Sequence, residues 1–413
     1  MVGHPGFVRY LSARLIATLG SQMEGVAVGW QMYALTGRVL DLGLIGLAQF
    51  APFLVLVLPA GHAADRYPRK RTIAACYAVQ TLCSLWLLAF SLHPQGGAWP
   101  IFAVLALQGA ARAFIMPAQQ AILMNIVPVA QFGQAVAVSS SSFHVAVILG
   151  PTLGGLSYLA GPITVYAMVS GLLATAFFLM LSVQVAPQQK IEGRWSRRNL
   201  LEGLSFVLSH PAVLGAISLD LFAVLLGGAV GVLPAYARDV LHTDSTGLGL
   251  LRTAPGIGAA CTALVLAISP IQRNVGRWMF GGVAAFGVAT LVLGLTENLG
   301  VAFAALFATG LADMVSVYVR HLLVQLETPD NIRGRVSAVN SVFISASNEL
   351  GTFESGLTAA WFGVLPAILI GGAATIVVTG VWARLFPVLS RLDEFPAPVL
   401  AETSEAASEG PVS

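Results

Sequence analysis

Five carboxylates fall inside long apolar stretches of this chain: Glu24, Asp220, Asp313, Glu349 and Glu354. Arg14, Arg112, Arg252 and Arg320 sit in similar surroundings. A charge in hydrocarbon costs several kcal/mol, so each such residue is a functional candidate by default. Glu24, within Gly20-Ser21-Gln22-Met23-Glu24-Gly25, is near the middle of its stretch. Facing a central cavity, it could bind and release a proton near neutral pH or touch a substrate. Pairing with an Arg of a neighbouring span is the plainer alternative. Asp313 and Arg320 share one helical face about 10 Å apart, too far for a direct pair but suited to a common polar lining with Ser316. Glu349 and Glu354 point ~140° apart on a helix, so at most one faces a cavity squarely. At least one of them is expected to handle substrate or protons. Arg112 is the cation best placed to neutralise an anionic substrate or an acid. Arg14 and Arg252 lie near span ends and can snorkel. Asp220 reads as structural. Trp30, Tyr33, Phe50, Phe53, Phe143 and Phe343 could line a cavity, although packing and interfacial anchoring are commoner uses.

The stretches that must position these groups are helices in lipid. The chain has 413 residues, 56% hydrophobic and only 10% charged. Soluble domains carry roughly 25% charged residues, so water cannot be the solvent for most of this surface. Apolar stretches of spanning length occur near 8–34, 42–63, 73–92, 99–123, 135–158, 162–185, 212–236, 246–268, 278–296, 300–325, 336–358 and 362–386. With the N-terminus placed inside, fifteen of the 21 Lys and Arg residues fall on the inner side and only Arg38 and Arg238 outside. That bias supports twelve spans with both termini cytoplasmic. Net charge is +2, which argues against a nucleic-acid partner. Cys76, Cys83 and Cys261 all lie in apolar stretches and read as packing residues, not a disulfide frame or metal site.

Residues 186–211 form the longest internal loop, ending in Leu200, Leu204, Val207 and Leu208 at helical spacing, the stripe of an interfacial helix. The Glu-, Ala-, Ser- and Pro-rich tail is expected to be disordered. The chain also repeats itself. Val127-Pro128-Val129-Ala130-Gln131-Phe132-Gly133 returns as Thr328-Pro329-Asp330-Asn331-Ile332-Arg333-Gly334. The same register maps Leu149-Gly150 onto Leu350-Gly351 and Gly155 onto Gly356. Two homologous six-helix halves would place a substrate site between them near mid-membrane; a chance match of small residues is the alternative.

Three groups of residues carry a family resemblance. The segment Gly61-His62-Ala63-Ala64-Asp65-Arg66-Tyr67-Pro68-Arg69-Lys70-Arg71 resembles the signature loop of the major facilitator superfamily. A carboxylate followed by cations can lock one inter-helix arrangement and release it in another, which makes Gly61, Asp65, Arg66, Arg69 and Lys70 gating candidates. A simple topogenic cluster needs the cations but no fixed Asp. Gly150-Pro151-Thr152-Leu153-Gly154-Gly155 is similar to the element that marks antiporters of that superfamily. Pro151 removes a backbone hydrogen bond, and Gly150, Gly154 and Gly155 permit close helix contact, so the element can bend the helix or seal an interface. A generic kinked helix is the plainer reading. Arg112-Ala113-Phe114-Ile115-Met116-Pro117-Ala118 and Ile332-Arg333-Gly334-Arg335-Val336 are similar to the branch that includes the enterobactin exporter. The resemblance spans residues 7 to 390. It implies an all-α major facilitator fold of two pseudo-symmetric six-helix bundles, and siderophore or drug efflux driven by protons.

The resulting organisation is an N-terminal bundle (1–185), a cytoplasmic linker (186–211), a C-terminal bundle (212–390) and a tail (391–413). No nucleotide-binding Gly-rich loop is present, and the two lysines, Lys70 and Lys190, are in no such setting. An ion gradient must then supply the work. No metalloprotease or serine-hydrolase motif occurs and the seven histidines are scattered, so an enzyme is not expected. The reading is a monomeric, multi-pass carrier in the cell inner or plasma membrane, with a small-molecule substrate, protons as the coupling ion and no cofactor. An importer on the same fold is the competing expectation.

Overall fold

In lipid every backbone N–H and C=O must be satisfied within the chain, which leaves helices as the solution for an apolar chain of this pattern. The computed structural model describes residues 5–93, 97–128, 131–185, 197–329 and 332–396, and these contain no strand. The Asp65 side chain, Lys190, Arg194 and the expected disordered tail beyond residue 396 lie outside what is described.

The first half comprises α1 (Pro5–Thr36), α2 (Val39–Arg66), α3 (Arg69–Leu92), α4 (Trp99–Ile122), α5 (Phe132–Tyr158) and α6 (Pro162–Ser182). A short helix, α7 (Arg197–Ser209), leads into α8 (Pro211–Gly227). The seventh span is broken: after Gly228 come a 3-10 turn at Ala229–Val232, α9 (Leu233–Ala235) and a π-helical turn at Tyr236–Val240. Then follow α10 (Ser245–Ile268), α11 (Val275–Gly294), α12 (Leu299–Glu327), α13 (Arg333–Phe362), α14 (Val364–Leu385) and α15 (Pro387–Ser390).

Helix ends follow local chemistry. Asp244 caps α10, its carboxylate accepting from the Thr246 and Gly247 amides at 2.9 and 3.1 Å. Asn298 caps α12 in the same way. Gly161 and Gly363, at φ +96° and +93°, make the tight turns into α6 and α14. These two glycines occupy equivalent places before the last span of each half. The expected loop at Gly61–Arg71 is shorter than the motif suggests. α2 stays helical through Arg66, only Tyr67 and Pro68 are non-helical, and α3 starts at Arg69. Pro68 enforces the break by restricting Tyr67 to extended backbone.

Among the described residues ten helical segments are long and apolar enough to cross a membrane. α1 and α13 are the two other long helices, at 32 and 30 residues. They carry Glu24, Asn348, Glu349 and Glu354, the polar load expected of helices that face protein and a cavity instead of lipid. α7 differs from the interfacial reading. Val207 is fully buried and Leu204 partly so, packed with Val213, Val324, Val336 and Val339, while Leu208 stays exposed. The inner part of its stripe is thus covered by protein, and Glu202 pairs with Arg335 of α13.

Candidate functional site

Packing is dense within each half, and the halves meet along two helix pairs, α2 with α13 and α5 with α10. Both seams are built on small residues. A methyl group on Gly43 would stand 3.0 Å from the Gly356 Cα, and one on Gly249 2.6 Å from the Pro151 carbonyl oxygen. Hydroxyls stitch the second seam: Thr152 and Thr253 are 2.7 Å apart, Thr253 reaches the Ile148 carbonyl at 3.0 Å, and Ser245 donates to Gly155 O at 3.0 Å. Beside them Tyr33 of α1 donates to Asp239, and the Arg238 guanidinium lies 5.8 Å from the Tyr33 ring centre. All these contacts sit at the end of the molecule that carries Arg38 and Arg238.

Below this closure lies a cavity of about 1130 Å³ between the halves. It extends toward the opposite end, where Gln120, Leu123 and Val136 line it. The broken seventh span contributes Gly227, Gly228, Ala229 and Val230 to its wall. Glu24, Arg112, Asp313 and Glu349 all line this one cavity. Glu354 does not; its carboxylate accepts from Thr358 at 2.7 Å on α13 itself. The two glutamates of α13 are therefore parted as their 140° separation requires.

The central contact is Arg112 to Glu349, 2.6 Å between Nη1 and Oε1, joining α4 to α13 across the cavity. Arg112 is not a buried cation: 47% of its side chain is exposed to the cavity, against 17% for Glu349. Glu24 is deeply buried, and among the described residues its Oε1 has no partner within hydrogen-bond distance. Gln108 of α4 and Ser84 of α3 are the polar side chains beside it. Asp313 and Arg320 do not share a lining. Asp313 lines the cavity and Arg320 does not: Arg320 is buried behind it, 3.1 Å from Asp220 of α8 and 3.0 Å from Asn340 of α13. Asp220 is accordingly a packing residue paired inside the second half. Arg14 and Arg252 do not snorkel. Arg14 turns into the cavity, bonded to Ser139 and 5.6 Å from the Phe143 ring centre. Arg252 points at α1, its Nη1 3.4 Å from where a methyl on Gly25 would be.

Of the aromatics, Phe143 lines the cavity. Phe50 and Phe53 stack on each other at 6.4 Å in a packed cluster, Trp30 packs with the outer core of the second half, and Phe343 packs near α7. Of the signature segment, Arg69 is buried and clasps the end of α4 through the Ala121 carbonyl at 2.9 Å and Asn125 Oδ1 at 2.7 Å. Cations at a helix C-terminus complement its dipole. Arg66 is exposed, and Gly61 and Lys70 are half-buried. In the antiporter-like element, Gly150 and Gly154 abut α1 at Gln22 and Met23, whereas Pro151 and Gly155 abut α10.

Sequence reasoning missed the amides. Gln22, Gln49, Gln80, Gln108, Gln119 and Gln120 all line the cavity. On α4 the lining residues Leu105, Gln108, Arg112, Ile115 and Gln119 recur at helical spacing, so the periodicity of polar groups in an apolar helix was the available signal.

Comparison with known proteins agrees with this architecture. The sequence matches the description "Major Facilitator Superfamily" over residues 10–352. It is 26% identical over 403 residues to the enterobactin exporter EntS of Citrobacter koseri, covering 96% of this chain and 95% of that one. It is 27% identical over 399 residues to the multidrug efflux pump Tap of Mycolicibacterium fortuitum, covering 93% and 96%. Among solved structures, a bacterial homologue of the human lysosomal transporter Spinster, inward-facing and unoccupied, aligns with TM-score 0.74 at 14% identity, covering 94% and 98%. The D-xylose–proton symporter aligns with TM-score 0.71 at 11% identity, covering 94% and 99%. The chain belongs to the Major Facilitator Superfamily. It is a multi-pass membrane transporter, not an enzyme.

Proposed function

We propose that this transporter exports a siderophore or drug-like small molecule by alternating access, in exchange for protons. The observation that carries the reading is the Arg112–Glu349 pair, which spans the cavity between the two halves at 2.6 Å. A carrier needs a group whose pairing changes as the halves rock. Arg112 has an exposed guanidinium that an incoming anionic or hydrogen-bonding group can reach, and Glu349 can yield it on taking a proton. Glu24 supplies a second proton site: it is a buried carboxyl on the cavity wall, beside Gln108 and Ser84, with one oxygen unpaired among the described residues and open to a proton, a water or a substrate group. Asp313 completes the polar wall from α12. Gly61, Asp65, Arg66, Arg69 and Lys70 are proposed to gate the end opposite the closure, with Arg69 holding α3 to α4. Pro151 and Gly155 seal the closed end against α10, Gly150 and Gly154 seat the same helix on α1, and Glu354 has a supporting role within α13.

The division into bundles at 1–185 and 212–390, joined by 186–211, belongs to the same proposal. So do monomeric action and cytoplasmic termini in a cell inner or plasma membrane, supported by the fifteen-to-two distribution of cations. With that orientation the cavity faces the cytoplasm, the state in which an exporter loads. The full-length names of EntS and Tap, an exporter and an efflux pump, support outward transport.

The test is transport in everted and right-side-out vesicles carrying an imposed pH gradient, with catecholate siderophores and cationic dyes as probes. Export predicts accumulation in everted vesicles, acid inside. Glu24→Gln and Glu349→Gln are expected to lose the response to the gradient while expressing normally. Uptake into right-side-out vesicles alone would make the chain an importer. Normal transport by both variants at every pH would overturn the proton assignment.

A further inference from the structure

Away from the transport cavity, α10 and α11 both pack along α12 and leave a groove between them. The groove has a volume of about 760 Å³, within the roughly 300–1,000 Å³ typical of small-molecule sites. Its floor is apolar and small, Ala308, Leu311, Ala312 and Val315 of α12. Gly281 and Ala285 of α11 form one exposed wall. The neighbouring outer face of α10 is lipid-directed, with Leu264, Val265 and Ile268 66%, 61% and 86% exposed. This groove opens to the bilayer, not to the cavity, and shares no residue with the cavity lining.

One end is polar. Arg277 and Asn274 line it, beside Trp278, which is 54% exposed. Trp at such a position marks the headgroup level of a bilayer. Arg277 contrasts with its neighbour. Arg273 is neutralised by Asp393 and Glu394 at 4.0 and 3.6 Å, whereas Arg277 is exposed and makes no ion pair or hydrogen bond with the described residues. From Arg277 to Ala285 the wall descends about 12 Å into the hydrocarbon. An unpaired cation at headgroup level above an apolar slot of that depth complements one kind of molecule, an anion carrying a hydrocarbon chain. Basic pockets between membrane helices bind anionic lipid headgroups for this reason.

We infer that the groove between α10 and α11 is a binding site for one anionic phospholipid, its phosphate on Arg277 and an acyl chain along Gly281 and Ala285. The leaflet, cytoplasmic, follows from the topology proposed above; the site itself does not depend on the transported substrate.

The experiment is native mass spectrometry of the delipidated full-length protein, titrated with phosphatidylglycerol or phosphatidylcholine of identical chains and, separately, with glycerol phosphate. The wild type is expected to bind one phosphatidylglycerol roughly 5- to 10-fold more tightly than phosphatidylcholine, and glycerol phosphate not at all. Arg277→Ala is expected to remove that preference. Gly281→Leu, at a position with nothing within 4 Å of a new methyl, is expected to abolish binding of both lipids. Ala285→Leu serves if Gly281→Leu does not give folded protein. Arg273→Ala is expected to leave the preference unchanged. Equal affinity for both lipids in the wild type, retention of the preference in Arg277→Ala, or binding of glycerol phosphate as tight as that of the lipid would overturn the inference.

Discussion

Substituting Gly249 by Val would open the closed end of the molecule, by an amount that follows from the seam geometry. The first carbon added at Gly249 stands 2.6 Å from the Pro151 carbonyl oxygen, against an ordinary contact of 3.4 Å or more. α5 and α10 must then part by roughly 0.8 Å. The Thr152–Thr253 hydroxyl pair, 2.7 Å apart, would stretch to about 3.5 Å, beyond the roughly 3.0 Å limit of an O–H···O bond. The Thr253–Ile148 and Ser245–Gly155 bonds, each 3.0 Å, lie on the same seam and lengthen with it. Inter-helix hydrogen bonds in membranes contribute roughly 0.6 kcal/mol each, so losing three destabilises this closure by about 2 kcal/mol. That is about thirtyfold in the equilibrium between closed and open forms. The readout is labelling of a cavity cysteine, Val147→Cys, by a membrane-impermeant maleimide in a background lacking Cys76, Cys83 and Cys261. Labelling from the side of Arg38 and Arg238 should rise by about that factor and labelling from the other side should fall. Unchanged rates from both sides, in folded protein, would mean that this seam does not hold the end shut.

Tyr33→Phe removes the bond to Asp239 at the same end and should raise labelling from that side several-fold, as one lost hydrogen bond of about 1 kcal/mol would. Glu349→Ala frees Arg112, which is already 47% exposed and can hydrate, so the thermal stability in detergent should change by less than about 1 kcal/mol while transport falls. A large drop in melting temperature would instead make the pair structural. The buried pair behaves oppositely. Asp220→Ala strands Arg320, whose side chain is 3% exposed, and Arg320→Met strands Asp220, 8% exposed; either alone should cost about 3–5 kcal/mol, seen as loss of folded protein on size exclusion. Asp220→Leu combined with Arg320→Met should recover most of it; no recovery would refute the pairing.

What composition and pattern determined is everything that lipid imposes on a chain. Low charge, twelve apolar stretches and a strong bias of cations toward alternate connections call for helices of set length, because an open apolar chain has no other way to satisfy its backbone in hydrocarbon. The repeat of Gly150 and Gly155 at Gly351 and Gly356 announced two related halves, and these glycines do lie at the crossings of α5 with α1 and α10 and of α13 with α2 and α8. The charges buried mid-span, Glu24, Asp220 and Arg320, were visible as candidates, since their cost is a property of their position along the chain; Asp41, buried near the start of α2, was not singled out. Their partners were not visible. Arg320 shares a helical face with Asp313 yet bonds to Asp220, a hundred residues away, and Arg112 meets Glu349 across 237 residues. Spacing along a helix constrains only the face a residue occupies; which helix faces it is set by how the small residues let the spans approach. The same holds for Arg252, which faces α1 at Gly25 and Gly29, and for the glutamines that become a cavity wall only when α1, α2, α3 and α4 are packed. One-dimensional pattern decided the solvent, the helices and the inventory of costly groups, and three-dimensional packing decided which of those groups meet, because electrostatic and hydrogen-bond energies depend on distances of a few ångström that no local sequence window contains.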